Sequence, residues 1–363
     1  MRPRLTRITL HGFKTIIRLV DFEPGDLTVL IGPNGAGKTN FISFFRMLSS
    51  ALTPPGQLQV YVAQQGGASA LLRDGAAVTT QIEAALTFKT DGGVTGWEFR
   101  LSHAAADTLI FTEEYLAYDL AGKAGRRRID LGMGQRESRL LVSTRATQII
   151  DMLRRIMIYQ LHNTAPTARI RNKWDVSDDR WLKEDGANLA PFLYRLETEH
   201  PAYYNRIQDT LRLIVPFFAN FELYPEFGGI LLRWREIGSD QVFNVSQASD
   251  GMLRAMVLVA LLQQPEQDLP SLLILDEPEL GLHPYAIEIL TSLIRSASKH
   301  VQVIVATQSV SLIDRFDPSD IVVTDRKNRE TTFKRLDDTA LTEWLQNYTL
   351  SELWEKNVVG GRP

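Results

Sequence analysis

The sequence predicts an α/β protein with a largely parallel core sheet, an antiparallel β-subdomain and a helical lobe. Three observations carry this. Leu27-Thr-Val-Leu-Ile31 is a continuous apolar run, as in a strand buried on both faces, and it feeds a glycine loop followed by helically spaced apolar residues. Leu272-Leu-Ile-Leu275, Val301 to Ala306 and Ile321 to Thr324 are runs of the same kind far along the chain. Between Gly66 and Asp130 the pattern shifts to Thr-rich and aromatic alternation, as in Ala85-Leu-Thr-Phe-Lys-Thr90 and Thr95-Gly-Trp-Glu-Phe-Arg-Leu101, with Asp91-Gly92-Gly93 as a turn.

In chain order, Leu5 to Leu10 alternates apolar and polar residues as a half-buried strand does, and Phe41 to Leu52 has helical spacing. Thr144 to Leu161, Pro191 to Leu196 and Tyr203 to Val215 read as helices of a second lobe, and Leu253 to Gln263 as another helix. Heptads are not sustained, so no long coiled-coil arm is expected. The expected organisation is a lobe of residues 1–160 and 265–340, a helical lobe of 161–264 and a helical tail of 341–363. In that tail Trp344, Leu345, Tyr348, Leu350, Leu353 and Trp354 form an apolar face expected to pack on the parent fold.

Composition narrows the function classes. A chain of 363 residues with 44% hydrophobic and 23% charged content is ordinary for a globular protein. The longest apolar run, Ala255 to Leu262, is far short of a membrane span, and no apolar segment follows the basic N-terminus as in a signal peptide. Cysteine is absent, which excludes disulfides and thiol chemistry and suits a cytoplasmic location. The net charge of −3 hides a block between Ala121 and Lys173 with 12 Lys/Arg against 3 Asp/Glu. That block either grips nucleic-acid phosphates or is a solvated, internally paired face.

Gly32-Pro33-Asn34-Gly35-Ala36-Gly37-Lys38-Thr39 satisfies the P-loop pattern between a strand and a helix. Its glycines let backbone N–H groups curl around a phosphate, and the helix N-terminus adds free donors. Asn34, Gly35, Ala36, Gly37, Lys38, Thr39 and Asn40 are the expected nucleotide-binding residues, with Lys38 on the β/γ-phosphates of ATP and the Thr39 hydroxyl on Mg2+. Leu272 to Leu275 deliver Asp276 to the sheet edge as the matching Walker B carboxylate for Mg2+, and Glu277 is placed to polarise the attacking water.

Asp276-Glu-Pro-Glu-Leu-Gly-Leu-His-Pro284 resembles the extended Walker B and D-loop of RecF-like and AAA-type ATPases. Ile8-Thr-Leu-His-Gly-Phe-Lys-Thr15 with the P-loop resembles the start of SMC, RecF and break-repair heads. Leu182 to Ala190 and Glu352 to Pro363 resemble stretches of a compact ATPase subfamily found in DNA repair and phage defence. The resemblance implies a P-loop NTPase of the ABC/SMC/RecF head type, in which two heads sandwich ATP as a homodimer. It makes Val245-Ser-Gln-Ala-Ser249-Asp250-Gly251-Met-Leu-Arg254 the signature segment, where Ser249 and Gly251 sense the partner's γ-phosphate; Ala248 and Asp250 depart from the usual leucine and glycine, and Ser249 also reads as a helix N-cap. It places Gln308 at the switch position, where relatives commonly carry histidine; glutamine hydrogen-bonds a phosphate but takes up no proton, which implies slow turnover. Gln160, after Ile156-Met-Ile-Tyr159, is the expected Q-loop ligand to Mg2+, with Gln64 and Gln65 as rivals. His283 reads as a packed histidine, with a contact to the partner as the alternative, and Lys14 as a strand-end lysine, with an approach to the nucleotide as the alternative.

The function implied is a hydrolysing head acting on DNA or gating a separately encoded effector nuclease. A sensor or scaffold with little turnover is the alternative. A transporter subunit is disfavoured by the gap of about 210 residues between Thr39 and Ser249 and by the irregular signature.

Overall fold

The strand entering the glycine loop is central to a six-stranded sheet. The computed structural model describes residues 2–53, 56–119 and 126–362. The sheet order is Glu330–Arg335, Ile321–Lys327, Leu27–Ile31, Gln302–Thr307, Leu272–Asp276 and Ile156–Tyr159. All pairings are parallel except that of the first two strands. The register sets Asp276 opposite Ala306 and Thr307 opposite Ile31, so the three central strands deliver their C-terminal ends to one edge. Ligands of open α/β sheets bind at that edge.

Side chains alternate between two cores, as the two-residue strand period requires. Leu30, Ile158, Ile274 and Ile304 face one core; Val29, Leu273, Val303 and Val305 face the other. The first core is shared with a second, antiparallel sheet of order Ile16–Phe22, Arg4–Phe13, Gln81–Thr90, Gly93–Ala104, Thr108–Asp119 and Arg126–Asp130. Helix Lys38–Ala51 fills the space between the sheets with Phe41, Phe44 and Phe45, all fully buried. Phe41 meets Phe45 and Phe333 at ring distances of 5.2 Å. Truncating Phe41 to alanine costs about 3–5 kcal/mol on that basis.

Helices Leu189–Glu199, Pro201–Ile214 and Asp250–Leu262 pack on the other face. This region is less purely helical than expected, because the aromatic segment around Phe218 and Trp234 folds as a three-stranded sheet, Phe218–Phe221, Arg233–Glu236 and Val242–Asn244. Thr144 to Leu161 is also corrected. Only Thr147–Arg154 is α-helical, and Ile156–Tyr159 becomes the edge strand of the core sheet. Its β-branched and aromatic residues find a parallel partner in Leu272–Asp276, and that pairing outweighs the helical spacing upstream.

In the tail, helix Leu350–Glu355 buries Leu350, Leu353 and Trp354 and is pinned by Ser351 to Asp314, while Trp344 and Tyr348 stay exposed. Among the described residues no helix is long and apolar enough to cross a membrane.

Candidate nucleotide site

The loop Gly32 to Lys38 wraps a concavity at the sheet edge. Gly37 caps the following helix at φ 112°, a left-handed backbone that favours glycine, and a Cβ there would collide with the side chain of Thr331. Thr331, on the distant strand Glu330–Arg335, braces the loop: its hydroxyl donates to Ala36 O at 2.9 Å and meets Thr15 Oγ1 at 2.6 Å. Ala36 is buried with its carbonyl spent on Thr331, so it shapes the loop from behind and does not line the cleft. The Asn40 amide donates to Thr15 Oγ1 at 2.7 Å, so its side chain is held by the strand-turn segment while the residue still borders the cleft.

Lys38 is buried, its ammonium donating to Gly32 O at 2.5 Å and Pro33 O at 3.2 Å. Burial lowers its pKa, opposed by the nearby carboxylates of Glu277, Asp276 and Glu279. A cation held in a concave loop opposite carboxylates is the electrostatic setting that a phosphate and a divalent ion complete.

The resulting cleft, of about 330 Å³, is lined by Asn34, Gly35, Gly37, Lys38, Thr39, Asn40, Asp276, Glu277 and Gln308. His162, Leu280 and Arg326 also line it. Asp276 is buried at the strand end and accepts from Gln160 Nε2, and Gln160 Oε1 accepts from Arg46 at 2.6 Å. Gln160 does not itself border the cleft and meets it only through Asp276; of the rival glutamines, Gln65 accepts from Lys14 at 3.2 Å, and neither it nor Gln64 borders the cleft. Thr39 supplies a hydroxyl and Asp276 a carboxylate in the same cleft, a donor set that fits Mg2+, which takes one or two protein ligands and completes its shell with phosphate and water.

Glu277 has a left-handed backbone at φ 50°, held by its N–H donating to Ala306 O at 2.8 Å. Such strain in a non-glycine residue costs on the order of 1–3 kcal/mol and is common at functional sites. Burial raises its pKa; Lys38 opposes this, Asp276 adds to it, and His162 and a hydrogen bond from Gln308 lower it. Two residues on, Glu279 is buried and accepts from Thr307 Oγ1, with Oε2 unpartnered; burial raises its pKa to about 7.

Ser249 and Gly251 do not line this cleft. Ser249 Oγ caps helix Asp250–Leu262 by accepting from Met252 N at 3.2 Å. Gly251 packs on the D-loop so closely that a Cβ would lie 2.6 Å from Gly281 O. Arg254 on the same helix is buried and donates to Leu161 O at 2.7 Å, Leu280 O at 2.8 Å and His162 O at 3.4 Å. His283 Nδ1 caps helix Pro284–Ser298.

Residues 121–125 of the basic block, and the side chain of Arg126, lie outside the described residues. Many of the others bond to their own fold. Arg128 pairs with Glu98 at 3.1 Å and stacks 3.5 Å over Tyr115; Arg154 donates to Leu52 O at 2.9 Å, and Arg155 to Leu269 O at 2.6 Å. Arg171 donates to Val245 O at 2.6 Å and pairs with Asp250 at 3.1 Å, and Arg169 pairs with Asp185 at 3.1 Å.

Sequence reasoning missed His162, Arg326 and Thr331, and held Arg254 only as the last residue of the signature segment, without its bracing role. His162 lies two positions from a residue already singled out; Arg326 and Thr331 carry no local signal, and the bracing partners of Arg254 are remote in sequence.

The family model described as "AAA domain, putative AbiEii toxin, Type IV TA system" matches residues 27–113 and 130–314. No curated protein matches the chain in sequence. Among solved structures, the chain is similar to an SMC head bound to the C-winged helix domain of ScpA, at TM-score 0.62 and 16% identity over 93% of this chain and 99% of that one. It is similar as well to an SMC head domain with an extended coiled coil bound to the C-terminal domain of ScpA, derived from Pyrococcus furiosus, at TM-score 0.60 and 14% identity over 95% and 99%. The shared fold is that of the SMC head, with its parallel core sheet and added antiparallel sheet.

Proposed function

The chain belongs to that AAA domain family, and from this premise we propose that it is a Mg-ATP-binding and hydrolysing head that pairs with a second copy when ATP binds. One observation carries the reading: Lys38, Thr39, Asp276, Glu277 and Gln308 share a single cleft, with Gln160 bonded to Asp276, while Ser249 and Gly251 lie outside it. A turn that does not line its own cleft is where this reading puts the contact with a neighbour's.

In this reading the loop N–H groups and Lys38 hold the phosphates, and Thr39 and Asp276 hold Mg2+, which would neutralise charge developing on the phosphate oxygens. Glu277, its pKa raised by burial, accepts the proton of the attacking water. Gln308 orients Glu277 through its amide but moves no proton, so turnover is slow. Ser249 and the Gly251 N–H of a second copy close over the γ-phosphate. The output passes to a separately encoded protein, by analogy with the SMC heads that bind ScpA, and we extend this to an effector nuclease acting on DNA.

The test compares wild type with Lys38→Ala and Glu277→Gln under Mg-ATP. Wild type hydrolyses ATP, Lys38→Ala loses nucleotide binding, and Glu277→Gln binds ATP, loses turnover by at least about 100-fold and elutes as a dimer. A wild type that binds and dimerises with no turnover selects the scaffold reading. A chain that ignores Mg-ATP overturns both.

A further inference from the structure

Away from the nucleotide cleft, a second cavity of about 400 Å³ lies beside the edge strand Ile156–Tyr159. Its floor is apolar, from Met157, Leu182 and Pro270, with Tyr159 behind, its hydroxyl donating to Leu182 O at 2.7 Å. Its rim carries Arg154, Arg155, Arg180 and Lys183 against Asp178 and Asp268. Both carboxylates are already engaged. Lys183 and Trp174 Nε1 hold Asp178 at 2.9 and 2.8 Å, and Arg195, from outside the cavity, holds Asp268 at 3.0 Å. Among the described residues, Arg154, Arg155 and Arg180 have no carboxylate within the 4.0 Å of an ion pair.

Arg155 and Arg180 also share one indole: each guanidinium lies 5.2 Å from the ring centroid of Trp181. Each contact is favourable alone, but two like charges on one half-exposed ring repel. Burial and Arg2 press the pKa of Arg155 downward, Asp268 and Asp151 push it back up, and Arg180 presses it down again, so its charged form lacks full compensation there. An anion between the two guanidiniums would supply it, and guanidinium geometry suits planar or tetrahedral oxyanions.

We propose that this cavity binds a small aromatic anion, whose flat ring rests on the apolar floor beside Trp181 and whose phosphate, sulfonate or carboxylate sits between Arg155 and Arg180. The volume lies within the roughly 300–1,000 Å³ of small-molecule sites, and an apolar floor with a few convergent polar groups is their usual make-up.

The position gives the site a role, a step that rests on the ATPase reading. The edge strand runs from the cavity to Gln160, which bonds Asp276. Strand Leu272–Asp276 begins two residues after Pro270, and helix Asp250–Leu262 ends two residues before Gln264, which lines the cavity. Three elements that present Gln160, Asp276 and the Ser249–Gly251 turn at one end thus have their other ends at this cavity. An occupant is placed to act as an effector of turnover.

The probe is 8-anilinonaphthalene-1-sulfonate, followed by its fluorescence and by calorimetry on the full chain. One saturable site is expected, its affinity at least tenfold weaker in Arg180→Ser and in Trp181→Ala and unchanged in Lys38→Ala. Among the described residues, neither the Arg180 nor the Trp181 side chain makes a hydrogen bond, so Arg180→Ser is expected to keep the wild-type Tm, while Trp181→Ala, which loses two ring contacts, stays folded with a lowered Tm. Affinity untouched by both substitutions, several weak sites, or loss in Lys38→Ala each overturns the proposal, the last by placing the probe at the phosphate loop. Turnover is measured separately with and without probe: a change present in wild type and absent in Trp181→Ala supports the effector role, and unchanged turnover beside intact binding overturns that role. The binding result stands whether or not the chain hydrolyses ATP.

Discussion

Arg254 Nε lies 2.7 Å from the carbonyl oxygen of Leu161, the residue after Gln160, and the same guanidinium reaches Leu280 O at 2.8 Å. One buried cation on helix Asp250–Leu262 therefore holds the segments that carry His162 and Leu280, two walls of the nucleotide cleft.

Arg254→Met should remove these bonds while keeping an apolar stem. Hydrogen bonds from a charged group contribute roughly 1.5–3 kcal/mol each, and the carbonyls left behind stay partly buried. We expect a loss of about 2–4 kcal/mol in urea denaturation, with weaker nucleotide binding wherever the fold persists. An unchanged midpoint and affinity would sink the role assigned to Arg254.

Glu279 makes stability depend on pH near neutrality. Its pKa in the folded chain, about 7, lies above the ordinary 4.5, so the folded state holds the proton more tightly than the unfolded chain. Its contribution is fully present below about pH 4.5 and is lost as pH rises through about 7. The difference corresponds to about 3–4 kcal/mol. Nucleotide-free Glu279→Gln should show a flatter stability profile between pH 5 and 8 than wild type, and an equally steep one would refute the assignment.

The phosphate loop and the acidic strand end were legible because each rests on local backbone demands. A strand must be apolar to lie buried on both faces, and a loop that curls onto phosphate needs glycine where φ is positive, as at Gly37. Ile156–Tyr159 is hidden inside an apparently helical stretch, since four residues set no period and only the neighbour Leu272–Asp276 decides. Thr331 was invisible because its partner, Ala36, is 295 positions away. Arg171 looked like part of a phosphate-binding block, yet it lies along the carbonyls of Val245 and Ala248. Charge counting cannot tell such a brace from a solvated face.

Gln308→His should raise turnover by about tenfold, with a rate that falls below roughly pH 6.5 as the imidazole protonates. The measurement is steady-state phosphate release across pH 5.5–8. A rate equal to wild type throughout would show that the switch residue does not limit the reaction.

Gly37→Ala tests the loop brace. The added methyl meets the Thr331 side chain in a backbone conformation that alanine adopts poorly. Expected are a stability loss of about 1–3 kcal/mol and, by calorimetry, a fall of more than tenfold in nucleotide affinity. Wild-type affinity in a folded Gly37→Ala chain would exclude the tight loop as the phosphate cradle.

The contact between Gly251 and Gly281 leaves no room for a side chain on the signature turn, and Arg254 clamps the same junction. Residues 249–251, which we propose face a second copy, and the loop beside the chain's own carboxylates are thus joined by direct contact. In a two-chain assembly, displacing that junction at one triphosphate shifts a wall of the other, so the two clefts would open and shut in step and fire as a pair.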